Sequence, residues 1–277
     1  MKLFVTGGTG FIGSHFLRTA LSAGHGVVAL RRSSASQPRI ALPMQPQWLD
    51  KEMPAVVGED FAGCDAVVHL AAVGVSPQRA TWDELFRINV VESLGLCMAA
   101  AEAGVRRFVI CGSCFEYGRS SERYDFIPPD APLEPVNGYG ASKAAASIAL
   151  LTLARERSLE LALLRPFQAF GEGQHESNFW PSLRAAALEG RDFPMTAGEQ
   201  IRDYQPVEDL AAGFLEAAVN ASLVPGEPLV RNVGSGCAQT LAEFAEHWWR
   251  EWNATGRLLK GAVPYRAGEV MRYIPKI

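Results

Sequence analysis

Residues 6–13 read Thr-Gly-Gly-Thr-Gly-Phe-Ile-Gly, placing glycines at 7, 10 and 13. A short apolar run, Lys2 to Thr6, precedes them. A stretch from Phe11 to Ala23 follows, with Phe16, Leu17, Ala20 and Leu21 at helical spacing. A strand, a glycine loop and a helix in that order can cradle a dinucleotide. Gly7 suits the tight turn, Gly10 lets backbone approach a pyrophosphate, and Gly13 lets helix and strand pack closely. The helix N-terminus adds free N–H groups and partial positive charge. Phe11 and Ile12 are therefore expected along the cofactor with the three glycines. The loop alone leaves a purely structural glycine turn open.

The same rhythm continues. Val27–Leu30, Asp65–Leu70, Arg107–Cys111 and Leu161–Leu164 read as strands. Trp82–Ala103 and Tyr139–Arg155 read as helices. Strands alternating with helices predict an α/β fold, a Rossmann-like doubly wound parallel sheet. After Arg165-Pro166 the pattern turns irregular, with helices expected near Pro181–Leu188, over Val207–Val219 and over Leu241–Trp252. This predicts two units. Residues 1–165 form a dinucleotide-binding domain with the catalytic residues. Residues 166–277 form a smaller C-terminal substrate lobe, with some segments returning to the first.

Composition narrows the function classes. With 277 residues, 48% hydrophobic and 20% charged, the chain can bury a full core, which argues against disorder. A net charge of −4 argues against a dedicated nucleic-acid binder. No apolar run approaches the roughly 18 residues of a membrane span. Lys2–Thr6 leads straight into the glycine loop without a signal-peptide pattern, so a cytoplasmic location is expected. Five scattered cysteines do not make a disulfide framework. Cys111-Gly-Ser-Cys114 matches C-x-x-C, but it ends a strand instead of opening a helix, which disfavours a redox role. No metal site is expected.

The end of the second strand bears on the cofactor. A carboxylate there would bond the ribose 2′-OH of NAD. This chain has Arg31-Arg32-Ser33-Ser34 instead. Two guanidiniums can grip a 2′-phosphate, and the serines add donors, so NADP(H) is predicted. Solvated surface arginines are the alternative. Asp50, after Trp48-Leu49, is expected to accept from the adenine amino group.

Tyr139 and Lys143 stand four apart and share a helix face. An ammonium beside a phenol favours the phenolate, so the tyrosine can pass a proton near neutral pH. Ser113, just past a strand, is expected to bond the same substrate oxygen.

With these motifs together, the chain resembles the extended short-chain dehydrogenases/reductases, the NAD(P)-dependent nucleotide-sugar epimerases, dehydratases and ketoreductases. The resemblance spans nearly the whole chain. Beyond the glycine loop and Tyr139-Gly-Ala-Ser-Lys143, it rests on His69-Leu-Ala-Ala72, Asn89-Val90 and Ser113-Cys-Phe-Glu-Tyr-Gly118. It continues through Leu164-Arg-Pro-Phe167, Arg202-Asp-Tyr204, Asn232-Val-Gly-Ser-Gly236 and Tyr265-Arg-Ala-Gly-Glu269. It implies that Tyr139 is the acid/base, that Lys143 tunes it and holds the nicotinamide ribose, and that Ser113 orients the carbonyl. Leu70, Ala71, Ala72 and Asn89 would lie along the cofactor, with Pro166 and Phe167 near the nicotinamide. Asn178, Arg202 and Arg266 would bind the diphosphate of a nucleoside-diphosphate sugar. The resemblance also implies a homodimer joined through the helix before Ser113 and the catalytic helix.

Departures from the family pattern narrow the reaction. Dehydratases carry Asp-Glu where this chain has Cys114-Phe115, so water elimination lacks its carboxylates. The GDP-fucose-forming epimerase has a cysteine one residue later than Cys114 and a histidine where Asn178 falls; His175 lies close in sequence. The arginines after the second strand and the ending from Pro264 to Tyr273 resemble the short ketoreductases of deoxysugar biosynthesis. The expectation is NADPH-dependent reduction of a nucleoside-diphosphate 4-keto-6-deoxysugar. A nucleotide-sugar epimerase is the alternative. A non-catalytic NADP sensor is a further one, against which the presence of both Tyr139 and Lys143 counts.

Overall fold

Apolar runs only four to seven residues long make strands that must be covered on both faces, and the helices between them supply the cover. The computed structural model describes residues 1–277 except 76, 221 and 267. The first half runs β1 (Lys2–Thr6), α1 (Phe11–Ser22), β2 (Gly26–Arg31), β3 (Gln47–Asp50), β4 (Ala66–His69), α2 (Trp82–Phe86), α3 (Ser93–Glu102), β5 (Arg107–Cys111) and α4 (Gly138–Glu156). Then come β6 (Glu160–Pro166), β7 (Gln168–Phe170), α5 (Phe179–Leu188), β8 (Phe193–Met195), β9 (Ile201–Arg202), β10 (Tyr204–Pro206) and α6 (Val207–Val219). The chain ends with β11 (Leu229–Val233), β12 (Gln239–Thr240), α7 (Leu241–Glu251), β13 (Leu258–Lys260) and β14 (Arg272–Tyr273).

Seven strands form one parallel sheet in the order β11-β6-β5-β4-β1-β2-β3. This is a Rossmann-like doubly wound fold. Alternate residues feed two cores. Leu3, Val5 and Val68 pack with Phe16 and Leu17 of α1 and Leu210 and Phe214 of α6. Phe4, Val67 and Phe108 pack with Leu96 and Ala100 of α3 and Leu150 and Leu153 of α4. The strand order turns back between β1 and β4. The crevice outside their carboxyl ends is where such sheets bind ligands.

The helix expected over 82–103 is interrupted. Between α2 and α3, Arg87–Glu92 form six residues of π-helix around the buried Asn89. Such an inserted turn re-aims side chains without ending the helix. The C-terminal segments do not all leave the sheet: α6 covers it and β11 extends it. The remainder builds its own core from Leu183, Ala186, Met195, Ala245 and Trp249. This part follows directly from the sheet, because a single residue, Phe167, separates β6 from β7, which pairs with β10. Among the described residues, no helix is long and apolar enough to cross a membrane.

Candidate active site

The glycine cradle is set by close backbone approach. Gly7 has φ +72°, and a Cβ there would lie 2.6 Å from the Ala71 nitrogen. A Cβ on Gly13 would lie 2.0 Å from the Gly7 carbonyl oxygen. Gly10 differs, because its Cβ would approach only the Gly7 oxygen, at 3.1 Å, and otherwise meet open space. Gly10 also caps α1 without a side-chain bond, so the N–H groups of Phe11, Ile12 and Gly13 have no intrahelical acceptor. Open space above Gly10 and uncapped donors beside it fit a pyrophosphate.

Leu70, Ala71 and Ala72 form the neighbouring wall. The Leu70 N–H donates to the Thr6 carbonyl at 3.2 Å, and the Ala71 N–H to Thr6 Oγ1 at 3.3 Å. Thr6 Oγ1 lies 2.8 Å from His69 Nδ1, and His69 Nε2 lies 2.9 Å from Ser93 Oγ. Ser93 gives its own hydrogen to the Ile88 carbonyl, so His69 carries its proton on Nε2. Burial, reinforced by the Lys143 charge, lowers the His69 pKa to about 3 and keeps the ring neutral. Asn89, expected along the cofactor, instead braces the protein. Its amide bonds both backbone groups of Val73 and donates to Ser142 Oγ at 3.0 Å, tying the loop after β4 to α4.

At the end of β2, Arg31 Nε donates to Asp50 Oδ1 at 2.5 Å, and the guanidinium lies 4.5 Å over the Trp48 ring. Parallel pairing of β2 with β3 sets Arg31 beside Asp50. The Asp50 oxygen expected to meet adenine is thus engaged by the arginine expected to meet phosphate. Arg32 and Ser33 are exposed alongside.

Ser113, Tyr139 and Lys143, expected as the acid/base group, lie on the turn after β5 and the first turns of α4. Ser113 follows β5 and caps the short turn Cys114–Glu116; its Oγ accepts the Phe115 N–H at 3.2 Å. Tyr139 and Lys143 lie in the first turns of α4, which Asn137 caps by accepting the Gly140 N–H at 2.8 Å. Gly140 lets α4 close on the serine loop, since a Cβ there would lie 2.5 Å from the Phe115 carbonyl oxygen. The Tyr139 ring packs edge-on against Phe115, two residues from Ser113, with centroids 6.2 Å apart. One expectation is corrected. The sequence suggests that Lys143 lowers the phenol's pKa, but Lys143 Nζ donates to the Cys111 carbonyl at 2.6 Å. Burial dominates at Tyr139 and pushes its hydroxyl well above the ordinary phenol range. This arrangement keeps the phenol protonated. Cys111 and Cys114 are free thiols, raised by burial to about 11 and about 12.

Pro166 ends β6, and the Phe167 N–H bonds the Val233 carbonyl at 3.0 Å, which anchors the segment expected beside the nicotinamide. Asn178 caps α5 through its backbone position, and its side chain makes no capping bond. Arg202 is buried: Nη2 donates to Glu269 Oε1 at 2.8 Å and to the Val270 carbonyl at 2.7 Å. Its positive charge bears on Cys114, next to Ser113. Arg266 is exposed and starts a turn closed by the Glu269 N–H on its carbonyl at 3.1 Å, so Glu269 links the two arginines. Ala267 of that motif lies outside the described residues.

Sequence reasoning missed Glu116 and Arg165. Both are buried and joined at 2.8 Å, directly behind Ser113. Ser113-Cys-Phe-Glu116 is a capping-box pattern, the one local signal that points to Glu116.

Comparison with known proteins identifies the family. The UDP-glucose 4-epimerase of Corynebacterium glutamicum is 31% identical over 292 residues, covering 97% of this chain and 85% of that one. The UDP-glucose 4-epimerase of Neisseria meningitidis serogroup B is 32% identical, covering 88% and 80%. Among solved structures, MoeE5 in complex with UDP-glucose and NAD superposes with a TM-score of 0.83 at 28% identity, covering 100% of this chain and 90% of that one. DesIV, the dTDP-glucose 4,6-dehydratase from Streptomyces venezuelae with NAD and TYD bound, gives 0.81 at 26%, covering 100% and 88%. Residues 3–234 match the family described as NAD dependent epimerase/dehydratase, and the chain belongs to that family.

Proposed function

We propose that the chain epimerises a nucleoside-diphosphate sugar at a hydroxyl-bearing ring carbon, with a nicotinamide dinucleotide as cofactor. The observation that carries this reading is the packing of the first turns of α4, which bear Tyr139 and Lys143, against Cys111 and Phe115 on either side of Ser113, at the carboxyl end of the sheet that also bears the glycine cradle. A nicotinamide dinucleotide bound there supplies a hydride acceptor that can return the hydride to the carbon it came from. Gly10 and the donors of Phe11, Ile12 and Gly13 hold its pyrophosphate, with Leu70, Ala71 and Ala72 along it and Pro166 and Phe167 beside the ring. Ser113 Oγ already accepts from Phe115, so its hydrogen is free to reach the sugar oxygen. Tyr139 Oη, protonated while the site is empty, would take the proton of the sugar hydroxyl after releasing its own to solvent, and would then give it back. Lys143, one turn along the same helix and held on the Cys111 carbonyl, would bond the nicotinamide ribose. Asn178, Arg202 and Arg266 hold the diphosphate, Arg202 exchanging Glu269 for phosphate oxygens.

The UDP-glucose 4-epimerases among the relatives support epimerisation over net reduction. Specific observations keep reduction of a 4-keto-6-deoxysugar nucleotide as a second reading. Arg31, Arg32 and Ser33 suit a 2′-phosphate, hence NADP(H), whereas MoeE5 and DesIV hold NAD. Burial also keeps Tyr139 protonated, ready to donate. In either case residues 1–165 carry the cofactor and acid/base group, and 166–277 mainly the substrate. A homodimer joined through α3 and α4 completes the proposal.

Incubation with UDP-, dTDP- and GDP-hexoses and NAD is expected to yield a separable 4-epimer, with no net change in the near-ultraviolet absorbance of reduced nicotinamide. Stoichiometric consumption of NADPH by a keto-sugar nucleotide, without epimer, establishes the reductase instead.

A further inference from the structure

Behind Ser113 lies a chain of buried polar groups that neither the cofactor nor the substrate reading uses. Glu116 is 0% exposed and Arg165 3%. Glu116 Oε1 accepts the Ser113 N–H at 2.8 Å, and Oε2 accepts from Arg165 Nε at 2.8 Å. Arg165 Nη1 donates to Tyr117 Oη at 2.9 Å and to the Pro129 carbonyl at 2.8 Å. The Tyr117 hydroxyl passes its hydrogen to Asn232 Oδ1 at 2.6 Å, and Asn232 Nδ2 donates to the Ile127 carbonyl at 2.7 Å. The chain thus runs from the turn after β5, across β6, to the edge strand β11. Gly112 makes room for it, since a Cβ there would lie 2.8 Å from Glu116 Oε1 and 2.9 Å from Arg165 Cγ.

A buried ion pair of this kind is a poor way to add stability, because desolvation offsets much of its attraction. What it does well is hold one geometry, since each partner loses heavily if it moves away. Here the geometry held is that of the serine. Its N–H is fixed by Glu116 and its Oγ lone pair by the Phe115 N–H, so the hydroxyl hydrogen is left to point away from its own turn.

We infer that the Glu116–Arg165 pair is the positioning device for Ser113, fixing where its hydroxyl meets the substrate oxygen while touching no substrate itself. The inference rests on the reading of Ser113 as a substrate-binding hydroxyl. Glu116→Gln is the primary variant. Its amide can satisfy the Ser113 N–H or Arg165, not both, and it leaves the guanidinium without a counter-charge. Adding Arg165→Gln rebuilds a neutral brace, because a glutamine oxygen occupies the place of Arg165 Nε and accepts from the amide at 116. Gly112→Ala displaces the pair without removing a charge, and serves if Glu116→Gln does not fold.

Two readouts are taken: steady-state kinetics, and amide hydrogen exchange at Ser113. In Glu116→Gln, kcat is expected to fall about tenfold or more while KM for the sugar nucleotide and the dissociation constant of the dinucleotide stay within about twofold. The Ser113 amide is expected to exchange about tenfold faster. The double substitution is expected to recover both, and Gly112→Ala to reproduce the losses. Unchanged Ser113 exchange in folded Glu116→Gln or Gly112→Ala overturns the inference. So does a double variant that regains its melting temperature but neither kcat nor exchange, because the pair is then only structural. If the parent protein turns over no nucleotide sugar, the proposed function fails separately, and the exchange data still decide the brace.

Discussion

Tyr139 is surrounded by groups that hold its proton in place, and the site gains its chemistry from what can change that. Burial and the neighbouring Cys111 raise the phenol, while the nearby Ser113 hydroxyl lowers it. Tyr139→Phe removes the transferable proton but only one atom of volume. Turnover is expected to fall about 100- to 10,000-fold, with dinucleotide affinity by fluorescence titration unchanged. Near-parental rates in that variant end its acid/base assignment. His69 gives a second residue-scale test. Its folded pKa, about 3, lies below the roughly 6.5 of an unfolded histidine, so the unfolded chain binds the extra proton first as pH falls. The stability this histidine contributes is complete above about pH 6.5 and is lost progressively as pH drops toward 3. Between about pH 7.5 and 5 the loss amounts to about 2 kcal/mol. Denaturant melts at the two pH values should show that slope in the parent protein and a shallower one in His69→Gln.

Strand, loop and helix at the N-terminus act as one element, and its glycines do different work. Gly13→Ala drives a methyl into the Gly7 carbonyl, at 2.0 Å, so the helix must leave the strand; lost folding or a melting temperature lowered by many degrees is expected. Gly10→Ala meets only one oxygen, at 3.1 Å, with an ordinary φ of −81°, so the fold should survive. Its methyl occupies the space a pyrophosphate needs, and dinucleotide affinity is expected to fall about tenfold or more. Calorimetry on both variants checks the contrast; unweakened binding by Gly10→Ala would remove the cradle from the site. This element was legible because glycine spacing reports steric need directly. The five inner strands were legible as apolar runs, because helices cover both their faces. Edge strands β3 and β11 were not, as Gln47, Asp50, Arg231 and Asn232 dilute the apolar signal. Nor was the π-turn around Asn89, which shifts a helical period by a single residue. Arg31 and Asp50 were each assigned a ligand role, yet strand register makes them partners. The Arg165 partner of Glu116 stands 49 positions away, and only the β5–β6 pairing brings it behind Ser113.

At the scale of the whole molecule, α4 has two faces to satisfy. Leu150, Leu153 and Ala154 of α4 and Leu96, Cys97 and Ala100 of α3 pack on the sheet. On the same two helices and the π-turn before α3, Val91 is 65% exposed, Ile148 58% and Met98 37%. Neither helix has the clean polar outer stripe of one meant for water. A second copy offering the same face would cover these side chains across a two-fold axis, and about 800 Å² per partner is the usual size of a stable interface. Because α4 carries Tyr139 and Lys143 at its start, such pairing would also stiffen the helix that bears the proposed acid/base group. Ile148→Glu places a charge in the proposed seam while leaving the isolated fold untouched, since the residue is exposed in one chain. Sedimentation is expected to show a dimer for the parent protein and a monomer for the variant. The melting temperature should rise with concentration only in the parent. A parent protein that sediments as a monomer at micromolar concentration excludes the α3–α4 dimer, and one that stays dimeric with Glu at 148 places the interface elsewhere.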